Sequence, residues 1–177
     1  MDLQTIIDNS AFNRQKYEVN IPVKNFISSL MMYLNANIEN PSFKDILDNG
    51  VPAFQRSNDQ WSLSMQIKFV ENVIKGFVPR LQLFEIEGKD SDCQILDGLQ
   101  RTTALSNFIE NKFKVFDDNF AFYDIKDSFL KGMSKTVVLE VFKFDNINDV
   151  IDFYVEMNEN ITHSPEDIVK ALSFKTK

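Results

Sequence analysis

The chain is poor in the residues that most often build reactive or metal-binding centres. It has one histidine and one cysteine in 177 residues, with only five glycines and five prolines. A single cysteine, Cys93, excludes an internal disulfide, and with no His or second Cys near it in sequence it reads as a buried strand thiol. One histidine, His163, excludes a multi-histidine metal site or a histidine-based nuclease centre; beside Ser164 it reads as a loop or cap residue. No apolar run approaches the ~18 residues of a membrane span. Met1 leads into "DLQTIIDNSAFNRQ" rather than a basic and apolar signal, so a cytoplasmic location is expected and no membrane partner. Positive charge is also short, with Lys+Arg 19 against Asp+Glu 26 and a formal charge of -7. The chain as a whole repels DNA at long range, so any nucleic-acid contact must be local, with Arg56, Lys68, Lys75 and Arg80 as its candidates.

Phenylalanine is plentiful. Seventeen Phe residues beside four Tyr and one Trp imply a core filled by rings, in a chain whose 44% hydrophobic content is ordinary for a globular domain. The length suits one such domain.

Residues 1 to 20 show no clear period and read as an N-terminal arm that docks on a domain spanning 21–177. In "IPVKNFISSLMMYLNANIENP", Pro22 suits a first helical turn and Phe26, Leu30, Tyr33 and Leu34 recur at helical spacing. "SFKDILDNG" predicts a short helix ended by Gly50. "SLSMQIKFVENVIKG" predicts the clearest one, capped by Ser62 and stopped by Gly76. "VPRLQLFEIEG" alternates as a strand, and Gly88 begins a turn into the strand "CQIL". "QRTTALSNFIENKF" predicts a helix with Ala104, Leu105, Phe108 and Ile109 inward. "KVFDDNFAFYDI" and "KTVVLEVFKF" predict two further strands, and helices follow, one capped by Asn146 or Asn148, the other by Ser-Pro-Glu-Asp. The sum is an α+β domain with a small mixed sheet and surrounding helices.

The chemistry concentrates in "ILDGLQRTTAL". Gly98 permits a sharp turn from strand to helix and lets a ligand approach the backbone. The next amides belong to a helix N-terminus, whose unpaired N–H groups and dipole favour a phosphate or carboxylate. Arg101 adds a bidentate fork, and Gln100, Thr102 and Thr103 add polar groups. Asp97 would repel an anion unless a metal or proton intervenes; its roles are Mg²⁺ ligand, general base toward water, or helix cap. A second arginine lies in "FQRSNDQW", where Gln55 and Arg56 occupy an extended loop before a helix and packing gives no reason for the charge.

Taken together, Phe54-Gln55-Arg56, Trp61-Ser62, Gly76…Pro79 and Asp97-Gly98-Leu99-Gln100-Arg101 resemble, in order and spacing, the domain of unknown function at the N-terminus of GmrSD-type modification-dependent restriction enzymes. The resemblance reaches "FYVEMNENITHSPEDIVKALSF", where Asn158 and Glu166 match the family's Asn at a helix end and Glu at the next helix start. It covers roughly residues 50 to 174.

It implies a ParB/sulfiredoxin-like fold that binds or hydrolyses nucleoside triphosphate with Mg²⁺ and senses modified DNA, while a separate His-Asn-His domain cuts. By position, Asp97, Gln100 and Arg101 would line the phosphates, approached by Gln55 and Arg56. Leu99 replaces the family's first motif glutamine, so binding is implied more strongly than hydrolysis. No nuclease domain is expected within these residues. The function expected is a stand-alone nucleotide-binding domain with at most weak NTPase activity, acting in DNA transactions or phage-host restriction conflict, as a homo-oligomer or in a hetero-complex. The alternatives are a non-catalytic decoy or inhibitor of a nuclease or defence protein, and a DNA-nicking ParB-like nuclease.

Overall fold

A computed structural model describes the chain except for residues 1, 4, 6–11, 13, 35–37, 56–59, 89–92, 131–134, 160–162 and 177. Four strands form one mixed sheet: β1 (Lys16–Pro22), β2 (Arg80–Ile86), β3 (Gln94–Asp97) and β4 (Thr136–Phe144), in the order β1-β4-β2-β3. β4 runs antiparallel to β1 and parallel to β2, and β2 runs antiparallel to β3. The described helices are α1 (Phe26–Tyr33), α2 (Phe43–Gly50), α3 (Leu63–Lys75), α4 (Leu99–Ile109), α5 (Phe122–Leu130), α6 (Ile147–Asn158) and α7 (Pro165–Leu172). The fold is α+β.

β4 is the central strand and is buried along nearly its whole length because both of its faces are covered. Alternation sends Val137, Leu139 and Val141 to one face, where they meet Leu81, Leu83 and Ile95 of the neighbouring strands and Phe26, Leu30 and Ile46 of α1 and α2. Phe142 and Phe144 point the other way, into a cluster with Phe54, Phe84, Phe153 and Tyr154 beneath α6. A third cluster joins α3 to α4 through Val70, Ala104, Phe108 and Phe122. Most of the phenylalanines are buried in these three layers, as a ring-packed core requires.

Local signals fix most helix ends. The Ser62 side chain accepts from the Met65 N–H, and Asn146, rather than Asn148, caps α6 by accepting from Asp149. Ser164 and Asp167 form a capping box with Pro165 in the first turn of α7.

Two expectations are corrected. Residues 16 to 20, expected in a docking arm, belong with Ile21 and Pro22 to an edge strand of the sheet; Pro22 ends β1 and caps a 3-10 turn, Val23–Asn25, that leads into α1 at Phe26. An exposed edge strand has little apolar alternation to reveal it. Upstream of it, Phe12 packs edge-on against Phe153 and Arg14 pairs with Asp149 at 3.3 Å, both partners lying on α6. "KVFDDNFAFYDI" is not a strand: only Val115 and Phe120 bridge, and α5 starts at Phe122. Left-handed backbone at Phe116, Asp117 and Asp118 folds that segment back, so Phe113 and Phe122 both reach Phe108.

Candidate functional site

β2 and β3 bring the chain to Asp97-Gly98, and α4 leaves immediately, so the expected strand-turn-helix is present. Gly98 has φ of +99°, and a Cβ there would lie 2.5 Å from Leu81 Cδ2. Leu81 is fully buried, so its methyl has little space to move into, and the positive φ by itself already favours glycine. The turn opens on a cleft of about 320 Å³, near the small end of the ~300–1,000 Å³ usual for ligand sites. Three separate segments wall it: Gln55 and Trp61 from the loop before α3, Leu96 through Arg101 from the turn, and Tyr154, Met157, Asn158 and His163 from the end of α6 and the loop before α7.

The side chains at the turn are already engaged. Arg101 donates to Asp97 Oδ2 at 3.0 Å through one terminal nitrogen and to the Arg80 carbonyl through the other. This pairing compensates the Asp97 carboxylate with the Arg101 charge at the start of α4. It also divides the positive charge between Asp97 and any ligand. Gln100 Oε1 accepts from the Trp61 N–H at 3.2 Å, which ties the loop to α4. Gln55 is buried and donates from Nε2 to the carbonyls of Ile95 and Leu96 at 3.2 and 3.1 Å, while Lys170 Nζ reaches the Gln55 carbonyl at 2.8 Å. Its Oε1 is buried with no hydrogen-bond partner among the described residues.

Comparison with protein-family models, curated proteins and solved structures returned no match. The likeness to the GmrSD N-terminal domain therefore rests on its motifs.

Of the expected ligand-binding residues, Gln55, Asp97, Gly98, Gln100 and Arg101 converge on the cleft. Thr102 does not. Each helical residue turns ~100° from the last, so the positions after Arg101 rotate inward. Thr102 is fully buried, and the Thr103 hydroxyl donates back to the Leu99 carbonyl at 2.8 Å. Arg56 lies outside the described residues. Asp97 is the one carboxylate among the described lining residues, and no cluster of three metal-ligating side chains occurs among the described residues. A Mg²⁺ would fit only if nucleotide phosphates supplied further ligands and Arg101 yielded Asp97.

The remaining basic candidates fall into two places. Arg80 is held by Glu18 and Glu140 at 3.1 and 3.2 Å. Lys68 and Lys75 line a separate groove of about 730 Å³ along α3 with Trp61, Phe69 and Phe77. No described helix is long and apolar enough to cross a membrane.

Sequence reasoning missed Tyr154 and His163 as site residues. The Tyr154 hydroxyl lies 2.7 Å from His163 Nε2, with the rings perpendicular and 5.2 Å apart. The available signal was the Asn158 helix end, which places both beside the turn once the chain folds.

Proposed function

We propose that this domain binds a nucleotide, with its phosphates at the Gly98 turn and Arg101, and acts in DNA transactions or phage-host restriction conflict. The observation that carries the reading is the convergence of Gln55, the 97–101 turn and the end of α6 on one cleft, although they are far apart in sequence. Amides at the start of α4 and the Arg101 fork suit phosphate oxygens. The orphan Gln55 Oε1 suits an N–H or O–H donor on the ligand, such as a base amino group or sugar hydroxyl. Arg101 is the one fixed cation among the described lining residues, so binding is supported more than turnover.

The test is thermal denaturation with ATP, GTP, CTP and UTP, each with and without Mg²⁺, on the wild type and Arg101→Ala. Saturation a hundredfold above Kd stabilises by about 2.7 kcal/mol, a readable rise in Tm. The rise is expected in the wild type and lost in a folded Arg101→Ala. No rise with any nucleotide would overturn the reading.

A second reading is favoured by the Arg101 contacts themselves. Bonds to Asp97 and the Arg80 carbonyl are those of a residue that pins α4 to β2. On this reading the fold is retained for protein interaction, as a decoy or inhibitor of a nuclease or defence protein. Capture of such a protein by a chain that binds no nucleotide would support it.

A further inference from the structure

His163 is the single histidine of the chain, and its ring is held at the cleft rather than on an open loop. Its Nε2 meets the Tyr154 hydroxyl at 2.7 Å. Tyr154 is itself only 1% exposed and is held edge-on by the Phe54 ring at 5.2 Å. The backbone closes the arrangement: His163 N–H donates to the Asn158 carbonyl, and Asn158 Nδ2 donates to the Tyr154 carbonyl at 2.8 Å. Such a ring keeps its place in either protonation state. A neutral Nε2 accepts from the phenol, and a protonated one donates to the phenol oxygen.

The charges around it make that proton consequential. On the turn, Arg101 is paired with Asp97. On α7, Lys170 is bound to the Gln55 carbonyl, and Asp167 is occupied by the N–H and hydroxyl of Ser164. Glu159, next after α6, and Glu166, in the first turn of α7, are exposed. Among the described lining side chains a neutral imidazole leaves one guanidinium against one carboxylate, and protonation adds one positive charge to that set.

We propose that His163 is a ligand-contacting residue of this cleft, which as imidazolium binds a phosphate or other oxyanion, and that Tyr154 is its positioning residue. The inference rests on the nucleotide reading and adds a recognition element to it. By linkage, an anion that prefers the protonated ring must raise the ring's titration midpoint, and protonation must tighten the anion's binding by the same factor.

One histidine gives one imidazole Hε1 resonance, so NMR reads His163 without assignment. We would follow it across roughly pH 5 to 8, where imidazole ordinarily titrates, alone and with ATP or pyrophosphate. Ligand should move the midpoint upward. ATP affinity should be about fivefold or more tighter near the acid end than near the basic end, and His163→Gln should lose that difference. Titration of the phosphate itself is common to both proteins and cancels in their ratio. Tyr154→Phe should shift the free His163 midpoint and reduce the ligand-induced change.

If ATP binds but the midpoint stays fixed and His163→Gln keeps the wild-type pH ratio, His163 is not a ligand contact and the nucleotide reading stands. If ATP does not bind at any pH, that reading fails, and an unmoved resonance with pyrophosphate overturns the present inference as well.

Discussion

Arg101 and Asp97 lie four residues apart across a strand-to-helix turn, yet they close a 3.0 Å ion pair while the same guanidinium donates to the Arg80 carbonyl. The pair stands at the start of α4 and so couples the stability of the turn to the charge of the cleft. Both side chains remain about one-third exposed, which limits what the ion pair alone contributes. In a double-mutant cycle of Asp97→Asn and Arg101→Gln, urea denaturation should give a coupling of roughly 0.5–1 kcal/mol. A coupling indistinguishable from zero would show that the pair adds nothing to the stability of the turn.

Gly98→Ala should be the most damaging conservative change in the turn. It places a Cβ 2.5 Å from the buried Leu81 side chain at a φ of +99°. Strain and overpacking together predict a loss of about 2–4 kcal/mol, seen as a lower denaturation midpoint with unchanged slope. Wild-type stability in this variant would rule out the turn geometry.

Glu140 is a hub between strands, accepting from Lys16 at 2.8 Å, Arg80 at 3.2 Å and Gln82 at 3.3 Å. Burial alone would push its carboxyl up, but the bonds from Lys16 and Gln82 and the charges of Lys16 and Arg80 outweigh it and hold it below the ordinary value of 4.5. A carboxyl lowered by folding stabilises fully above the unfolded value and loses that contribution as pH falls through the folded one. Stability should therefore fall below about pH 4.5, and Glu140→Gln should flatten this acid limb. At neutral pH the same variant should lose roughly 1–3 kcal/mol. Parallel acid limbs for the two proteins would remove Glu140 from the explanation.

Gln55→Leu should separate a structural from a ligand role. It leaves the Ile95 and Leu96 carbonyls without the bonds that Gln55 supplies, at a cost of about 1–3 kcal/mol. Calorimetric titration with the nucleotide that binds the wild type should also show weaker affinity, through the lost Oε1 acceptor. Unchanged affinity in the folded variant would confine Gln55 to holding the loop.

Local chemistry was legible in the sequence wherever it is settled within a few residues. The Ser62 cap, the Gly76 stop, the Ser164 box, the β2–β3 pair and the Asp97-Gly98 turn all follow from backbone freedom and short-range hydrogen bonds. An α+β architecture followed from their order. Tertiary structure decided what had no local signature. β1 is a strand because β4, more than a hundred residues later, supplies its partners. The 113–122 segment is a turn and a helix because Phe108 draws in rings from both of its ends. Thr102 faces inward because helical rotation leaves only the first residues of α4, Leu99 to Arg101, toward the cleft. His163 became a cleft residue because Tyr154, buried among the aromatic rings beneath α6, reaches it across the end of that helix. Sequence alone determined which segments could carry polar chemistry; long-range packing and pairing determined which of those side chains meet.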